Sequence, residues 1–135
     1  MTREALTALA DRFFAAVEAK DSAAATALYH PDVRVWHSRD EAETDLRQNR
    51  EVLDLFFARV RDVRYEVVRR ELFAGGFLQE HVVQGTLNDG TTFRLPVGFL
   101  CRVDEDGRIV RIAEYCDGAR SPLRGVDQSG EGDAR

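Results

Sequence analysis

Four polar residues interrupt stretches that otherwise place apolar residues at the spacing of a buried face: His37, Asn49, His81 and Glu114. Histidine is the side chain best suited to moving a proton near neutral pH. A buried carboxylate is costly unless it is paired, so Glu114 would fix a histidine tautomer, act as a general base, or pair with an arginine. The amide of Asn49 would donate to a carbonyl oxygen that gains negative charge, or satisfy a loop backbone group. These residue types favour general acid–base chemistry, and the alternative is that backbone or arginine partners satisfy each group separately.

The sequence lacks the common catalytic and cofactor-binding motifs: a P-loop, Gly-x-Ser-x-Gly, a dinucleotide fingerprint and His-Glu-x-x-His. We therefore expect no cofactor. His37, His81 and Glu114 fall on separate predicted strands without close ligand spacing, so we expect no metal either. Cys101 and Cys116 have no Cys-x-x-Cys spacing, and we interpret them as reduced core residues, with a disulfide as the alternative.

The length of 135 residues, the hydrophobic share of 44% and the charged share of 32% are typical of one soluble globular domain. The net charge of -5 and the lack of a basic stripe predict no nucleic-acid partner. No apolar run reaches the roughly eighteen residues of a membrane span, so we expect no membrane association. The first residues lack a signal-peptide pattern, which predicts a cytoplasmic protein.

The helical spacing of apolar residues predicts three helices, at about 2–19, 22–29 and 44–60. Asn49 lies on the apolar stripe of the third helix. Pro31 should end the second helix, because proline disfavours a helical conformation in the residue before it. A strand over 33–38 then places His37 on the same face as two valines, and residues 39–43 are expected to form a loop.

Four further strands are predicted at 63–73, 77–87, 91–103 and 108–117. Asp-Gly pairs between β-rich runs are typical of hairpin turns. Alternation places five apolar residues on the inward face of the third of these strands: Leu95, Val97, Phe99, Cys101 and Val103. Glu114 falls on the more apolar face of the last strand. Gln79 and His81 share a face of 77–87, and the pattern alone does not decide which face is inward.

This order of elements predicts an α+β fold, in which a cone-like curved antiparallel or mixed sheet wraps around about three N-terminal helices. The polar residues on inward faces would then converge on a cavity. Residues 1–118 would form the single domain. Residues 119–135, which hold few apolar side chains, would form a poorly ordered tail.

Two stretches carry a family resemblance: His30-Pro-Asp-Val-Arg-Val-Trp-His37 and Asp106-Gly-Arg-Ile-Val-Arg-Ile-Ala-Glu-Tyr-Cys-Asp117. With the order of elements, they resemble the SnoaL-like branch of the nuclear transport factor 2 superfamily over about residues 6–117. That superfamily includes polyketide cyclases, ketosteroid isomerases, limonene epoxide hydrolases, scytalone dehydratases and non-catalytic binding domains, so the fold does not settle the function. The resemblance implies a cone-shaped α+β barrel with an apolar pocket and a homodimer packed through the sheets. It also favours an inward His81, four residues before Gly85.

The ketosteroid isomerase pattern is not reproduced. The resemblance places that enzyme's base aspartate at His37, its oxyanion-hole tyrosine at Phe13, and its protonated aspartic acid at Phe99 or Gly98. Because neither donor is present, we do not expect steroid isomerisation by that mechanism. A histidine–carboxylate pair, as in cyclase-like and dehydratase-like members, fits better.

Our leading hypothesis is a cofactor-independent isomerase or lyase, cyclase-like or dehydratase-like, for a small apolar molecule that is cyclic or bears a carbonyl. His37 would move the proton, and His81 and Glu114 would orient or share it. The candidate substrate contacts are Phe13, Tyr29, Asn49, Phe56, Gln79 and Phe99. The alternative is a non-catalytic ligand-binding or dimerisation domain of the same fold, and a third hypothesis is a protein-interaction module.

Overall fold

The computed structural model describes residues 1–123, which form three α-helices and six strands. Two helices precede the first strand, and the third lies between the second and third strands. The helices are α1 (Arg3–Glu18), α2 (Ser22–Thr26) and α3 (Leu46–Arg59). The strands are β1 (Tyr29–His37), β2 (Ala42–Thr44), β3 (Val60–Phe73), β4 (Gly76–Leu87), β5 (Thr92–Val103) and β6 (Ile109–Cys116). A 3-10 turn, Gly118–Arg120, follows the last strand.

The six strands form one mixed sheet in the order β2-β1-β6-β5-β4-β3. Only β1 and β6 pair in parallel, and the other neighbours are antiparallel. The predicted α+β class is therefore confirmed. The expected barrel is not, because β2 and β3 lie at opposite edges and the sheet stays open.

A close approach between β3 and β4 depends on Gly85. A Cβ built on this residue would lie 2.1 Å from the backbone oxygen of Asp62, so any side chain would force the strands apart. The pairing register shifts between Val60 and Asp62, beside this glycine. Such irregularities increase the local bend and twist of a sheet, which gives the concave face that receives the helices.

The core lies between this concave face and the buried side of α1. The five residues of β5 that alternation predicted as inward are all buried. In β6 the same alternation holds for Ile112, but Ile109 is buried although it was predicted outward. The register shift opposite Arg102 and Val103 explains the difference, because a bulge reverses which face a residue occupies.

Three predicted boundaries are wrong. Helix α2 ends at Thr26 rather than near Tyr29, and Tyr29 instead opens β1 opposite Ile109. Pro31 lies inside β1, where the register shifts between Tyr29 and Arg34, as expected for a residue that cannot donate a ladder hydrogen bond. The predicted loop 39–43 contains the start of β2.

Helix α3 begins one residue after Asp45, which forms a capping box with Gln48. Both cysteines are free thiols, and Cys101 is buried. Within the described chain, no helix is long and apolar enough to cross a membrane. Of the predicted tail, the structure describes residues 119–123. The rest of that prediction, residues 124–135, lies outside the described residues.

Candidate active site

A cavity of about 100 Å³ lies between the concave face of the sheet, α1 and α3. Most of its wall is apolar, contributed by Phe13, Val17, Val35, Val52, Leu53, Phe56, Val83, Leu95, Val97, Phe99 and Ile112. Six polar residues also line it: Tyr29, His37, Asn49, Tyr65, Glu114 and Ser121. An apolar cavity with a few polar groups is the usual form of a small-molecule site.

His37 and Glu114 face each other across the parallel pair of strands. They are register partners of β1 and β6, and His37 Nε2 lies 3.6 Å from Glu114 Oε1. The distance is longer than a hydrogen bond but within the range of an ion pair. The histidine side chain is 10% exposed and the carboxylate 27%, so the glutamate is the more accessible partner. Catalytic contacts are often long before substrate binds, and the pair can share a proton with a molecule in the cavity.

Ser38 locks the two strands directly after this pair. Its backbone N–H donates to the backbone oxygen of Glu114 at 2.9 Å. Its hydroxyl accepts from the N–H of Cys116 at 3.0 Å and donates to the carbonyl of the same residue at 3.3 Å. These bonds hold the backbone of both site residues, so the spacing of the imidazole and the carboxylate is set by the sheet.

The second nitrogen of His37 has no protein partner within residues 1–123. Nδ1 is buried and accepts or donates no hydrogen bond there. A buried polar atom without a partner costs about 1–3 kcal/mol, and such atoms concentrate at functional sites. Within residues 1–123, no hydrogen bond to Nδ1 therefore fixes the tautomer of this ring.

Tyr29 and Asn49 form a second buried polar pair in the cavity wall. The tyrosine hydroxyl donates to Asn49 Oδ1 at 2.6 Å. The amide NH2 of Asn49 makes no hydrogen bond to the described residues, so it can donate to an oxygen in the cavity. Burial, with smaller effects from Cys101 and Glu114, raises the pKa of Tyr29 far above its usual value and keeps it a donor.

Tyr65 also lines the cavity, but it was not among the predicted site residues. Its ring centroid lies 5.1 Å from that of Phe14 and 4.9 Å from that of His81. Burial, followed by the charge of Glu114, raises its pKa well above the usual value. Within the described chain its hydroxyl has no hydrogen-bond partner. The sequence pattern could have indicated Tyr65, because alternation places it on the same inward face of the strand as Val63.

His81 and Gln79 are buried but do not line the cavity, which corrects their expected place beside His37. Gln79 Nε2 donates to His81 Nδ1 at 2.9 Å, and its Oε1 accepts from Arg70 Nε at 2.7 Å. Arg70 also pairs with Asp11 of α1 at 3.0 Å. Through Gln79 and Arg70, His81 is therefore connected to Asp11 of α1. Both side chains lie on the inward face that the family resemblance favoured for His81, but outside the cavity wall.

His81 is poorly suited to donate a proton. Burial, with a smaller effect from Arg70, lowers its pKa to about 4. Its ring is surrounded by those of Phe14, Tyr65 and Phe99, with centroid distances of 5.2, 4.9 and 5.8 Å. Because Nδ1 accepts from Gln79, the proton of the neutral ring lies on Nε2, which has no partner among the described residues.

The other predicted substrate contacts reach the cavity. Phe13, Phe56 and Phe99 form part of its wall, and Phe13 stacks on Tyr29 at 6.1 Å between centroids. Phe13 and Phe99 carry no donor. Their contact with a substrate stays a prediction.

Residues 121–123 follow the 3-10 turn and extend the cavity wall. These half-buried residues belong to the cavity wall, and Leu123 packs against the core. Arg59 of α3 donates to the carbonyl of Pro122 at 3.2 Å, and Arg120 donates to the carbonyl of Arg94 at 3.1 Å. Composition did not predict these contacts, because backbone carbonyls supply the anchors. The poor order expected for residues 119–135 stays a prediction.

The open mixed sheet and its inner cavity define an α+β protein of the nuclear transport factor 2 type. The chain belongs to the SnoaL-like domain family, whose profile matches residues 10–112. A comparison with curated protein sequences gave no match.

Solved structures of low sequence identity share this fold. PrhC from Penicillium brasilianum is 16% identical, with a TM-score of 0.79 over 89% of this chain and 85% of its own. A protein from Catenulispora acidiphila with a ketosteroid isomerase-like fold, in complex with trimethylamine, is 17% identical, with a TM-score of 0.73 over 90% and 95%. An LEH-like epoxide hydrolase of M. tuberculosis is 19% identical, with a TM-score of 0.72 over 88% and 86%. At these identities the likeness establishes the fold alone.

Proposed function

We propose that the cavity is the active site of a cofactor-independent enzyme that isomerises or eliminates by general acid–base catalysis. The observation that carries this proposal is the His37–Glu114 pair, with 3.6 Å between Nε2 and Oε1, on the wall of an otherwise apolar cavity. A histidine beside a carboxylate is suited to take and return a proton, because the carboxylate stabilises the imidazolium that forms.

The polar groups divide into a proton-transfer side and an oxyanion side. His37 takes a proton from the carbon next to a substrate carbonyl, and Glu114 stabilises the resulting imidazolium. The electron pair of the broken C–H bond moves toward the carbonyl oxygen, which accepts a hydrogen bond from the amide of Asn49. Tyr29 holds that amide in place, and the Tyr65 hydroxyl supplies a second donor. In an isomerisation the proton then returns to another carbon. In an elimination the enolate electrons form the C=C bond, and the β-substituent leaves with the electron pair of its bond and takes the proton from His37.

The size of the cavity limits the substrate. Its volume is about 100 Å³. An apolar cavity of about 150 Å³ holds a benzene molecule. The proposed substrate is therefore a molecule no larger than a single ring, or the ring-sized end of a longer molecule that passes Leu123.

A non-catalytic ligand-binding domain is the second candidate. It is favoured by the Tyr29–Asn49 bond, in which two of the polar groups already satisfy each other. In this function the apolar wall would hold the ligand and the polar groups would only orient it.

The two candidates differ in whether a bound ketone exchanges protons. Cyclohex-3-enone is a suitable probe, because its conversion to the conjugated 2-enone is followed by absorbance and its α-proton exchange in D2O by NMR. We expect exchange above the buffer rate in the wild type and its loss in His37→Gln. The matched control is His30→Gln, because His30 lies on the same strand outside the cavity wall. Ligand binding with exchange at the buffer rate would instead identify a binding domain.

We also propose that a second copy of the chain covers the outer face of the sheet. Leu78, Leu100, Ala113 and Trp36 form one cross-strand row on that face. Leu78 is 45% exposed, and Tyr115, which packs beside Trp36, is 54% exposed. Sedimentation analysis should give a dimer that Leu78→Glu shifts toward monomer, whereas a wild-type monomer would contradict this assignment.

We also propose that the protein works in a reducing compartment such as the cytoplasm. The two free thiols support this proposal.

A further inference from the structure

We propose that a second concavity, on the outer side of the sheet, binds an oxyanion of the phosphate class. It has a volume of about 440 Å³ and lies where β3, β4 and β5 meet the 3-10 turn. Three arginines line it, Arg64, Arg94 and Arg120, and we call this the arginine concavity. No residue of its lining is acidic within the part of the chain that the structure describes.

The pairing register brings two of the arginines together. Arg64 pairs with Gln84, and Gln84 pairs with Arg94, so the three side chains form one row across β3, β4 and β5. The row faces outward, because the next residues along each strand face the cavity or core. Neighbouring strands lie about 4.8 Å apart, so both guanidinium groups can reach a ligand above Gln84. Thr86 and Thr92 form the next row and add two hydroxyls.

The positive charge of the arginine concavity is only partly neutralised. Arg64 pairs with Asp62 at 3.2 Å. Arg120 uses one nitrogen to donate to the backbone oxygen of Arg94 at 3.1 Å. The Arg94 guanidinium itself makes no hydrogen bond or ion pair with residues 1–123. A local excess of guanidinium therefore stands out in a chain whose net charge is -5.

The hydrogen-bond donors that line the arginine concavity determine which class of ligand fits. A guanidinium presents a planar fork of donors that matches the oxygens of phosphate, and each such bond is charge-assisted. Amide and hydroxyl groups of Gln84, Thr86 and Thr92 can donate to remaining oxygens. A small dianion with several oxygens therefore fits better than chloride, which lacks directional acceptors.

The arginine concavity adjoins residues 121–123, which form part of the wall of the inner cavity. Arg120 immediately precedes residues 121–123 of the cavity wall. An anion held jointly by Arg94 and Arg120 would fix this turn against β5. Anion binding itself does not depend on the proposed catalysis, so either proposal can fail alone.

The test is a titration at constant ionic strength, followed by backbone amide NMR shifts. Inorganic phosphate, glycerol phosphate and chloride are the three ligands, and the first two distinguish a free anion from an ester. We expect saturable shifts with phosphate or its ester and none with chloride. Arg94→Gln should weaken binding about three- to tenfold, as expected for one exposed charged contact.

Arg94→Gln removes no side-chain hydrogen bond or ion pair within residues 1–123, so it should fold. Arg50→Gln is the matched control, because Arg50 is an exposed arginine on α3, outside the arginine concavity. Equal affinity in the wild type and Arg94→Gln would overturn the proposal. Shifts that chloride reproduces would overturn it as well, since they would report screening only.

Discussion

The hydroxyl of Tyr29 donates to Oδ1 of Asn49 at 2.6 Å and joins the first residue of β1 to α3 across the wall of the cavity. Both side chains are buried, with exposed fractions of 5% and 4%. The bond places the Asn49 amide where a ligand oxygen can accept from it. It therefore links the packing of a strand end to the proposed oxyanion contact.

Replacing Tyr29 with phenylalanine should leave a buried acceptor without a donor. We expect Tyr29→Phe to lower the free energy of unfolding by about 1–3 kcal/mol, measured by urea denaturation. In the enone assay it should lower kcat more than it changes KM, because the amide loses its fixed orientation. Thr7→Ala, which removes an exposed hydroxyl from α1, is the control. Unchanged stability of Tyr29→Phe would contradict the assigned bond.

His37 and Glu114 should behave as a unit in kinetics. We expect His37→Gln and Glu114→Gln each to lower kcat/KM about 10²–10⁴-fold, the usual range for a general acid–base group. The double variant should lose little more than the worse single variant, because groups that act together are not additive. Glu43→Gln, an exposed carboxylate paired with Arg111, controls for the change of charge. Fully additive losses would show that the two groups work separately.

The stability of the fold should depend on pH through His81. Its pKa is about 4 in the folded protein, because burial and Arg70 disfavour the charged ring. The unfolded chain, with a histidine pKa of about 6.5, binds a proton more readily between these values. The stabilisation is therefore complete above about pH 6.5 and is lost as the pH falls toward 4, by about 3 kcal/mol in total.

Urea denaturation at pH 7 and pH 4.5 measures this effect. His81→Gln should be less stable at pH 7 but should lose less stability on acidification than the wild type. Carboxylates titrate in both proteins, so the difference between the two pH dependences isolates His81. Parallel pH dependences would mean that the ring is not held neutral.

Leu123 should limit the size of the ligand, because it lies in the cavity wall and packs against the core. Leu123→Ala should extend binding to cyclic ketones with an additional ring substituent. Val68→Ala, at an exposed position of β3, should bind the same series as the wild type. Calorimetric titration of the series provides the comparison, and an unchanged size limit in Leu123→Ala would remove this residue from the wall.

Local patterns predicted much of this structure. The starts of α1 and α2, the alternation of β5 and the inward position of His37 were predicted, because each depends on neighbours in sequence. Tyr29 was misassigned to a helix because its pairing with Ile109 is non-local. His81 was placed on the correct face but at the wrong depth, since alternation says nothing about position along a curved strand.

The parallel pairing of β1 with β6 has a consequence for synthesis of the chain. His37 belongs to the first strand and Glu114 to the last, so the two become neighbours only when β6 joins the sheet. A chain synthesised as far as Val103 already contains His37, Asn49 and the two cavity tyrosines, Tyr29 and Tyr65. It does not yet contain Glu114. Contacts between distant parts of a sequence form slowly. The proposed proton-transfer pair therefore forms late, and a growing chain cannot carry out the proposed reaction before β6 has joined the sheet.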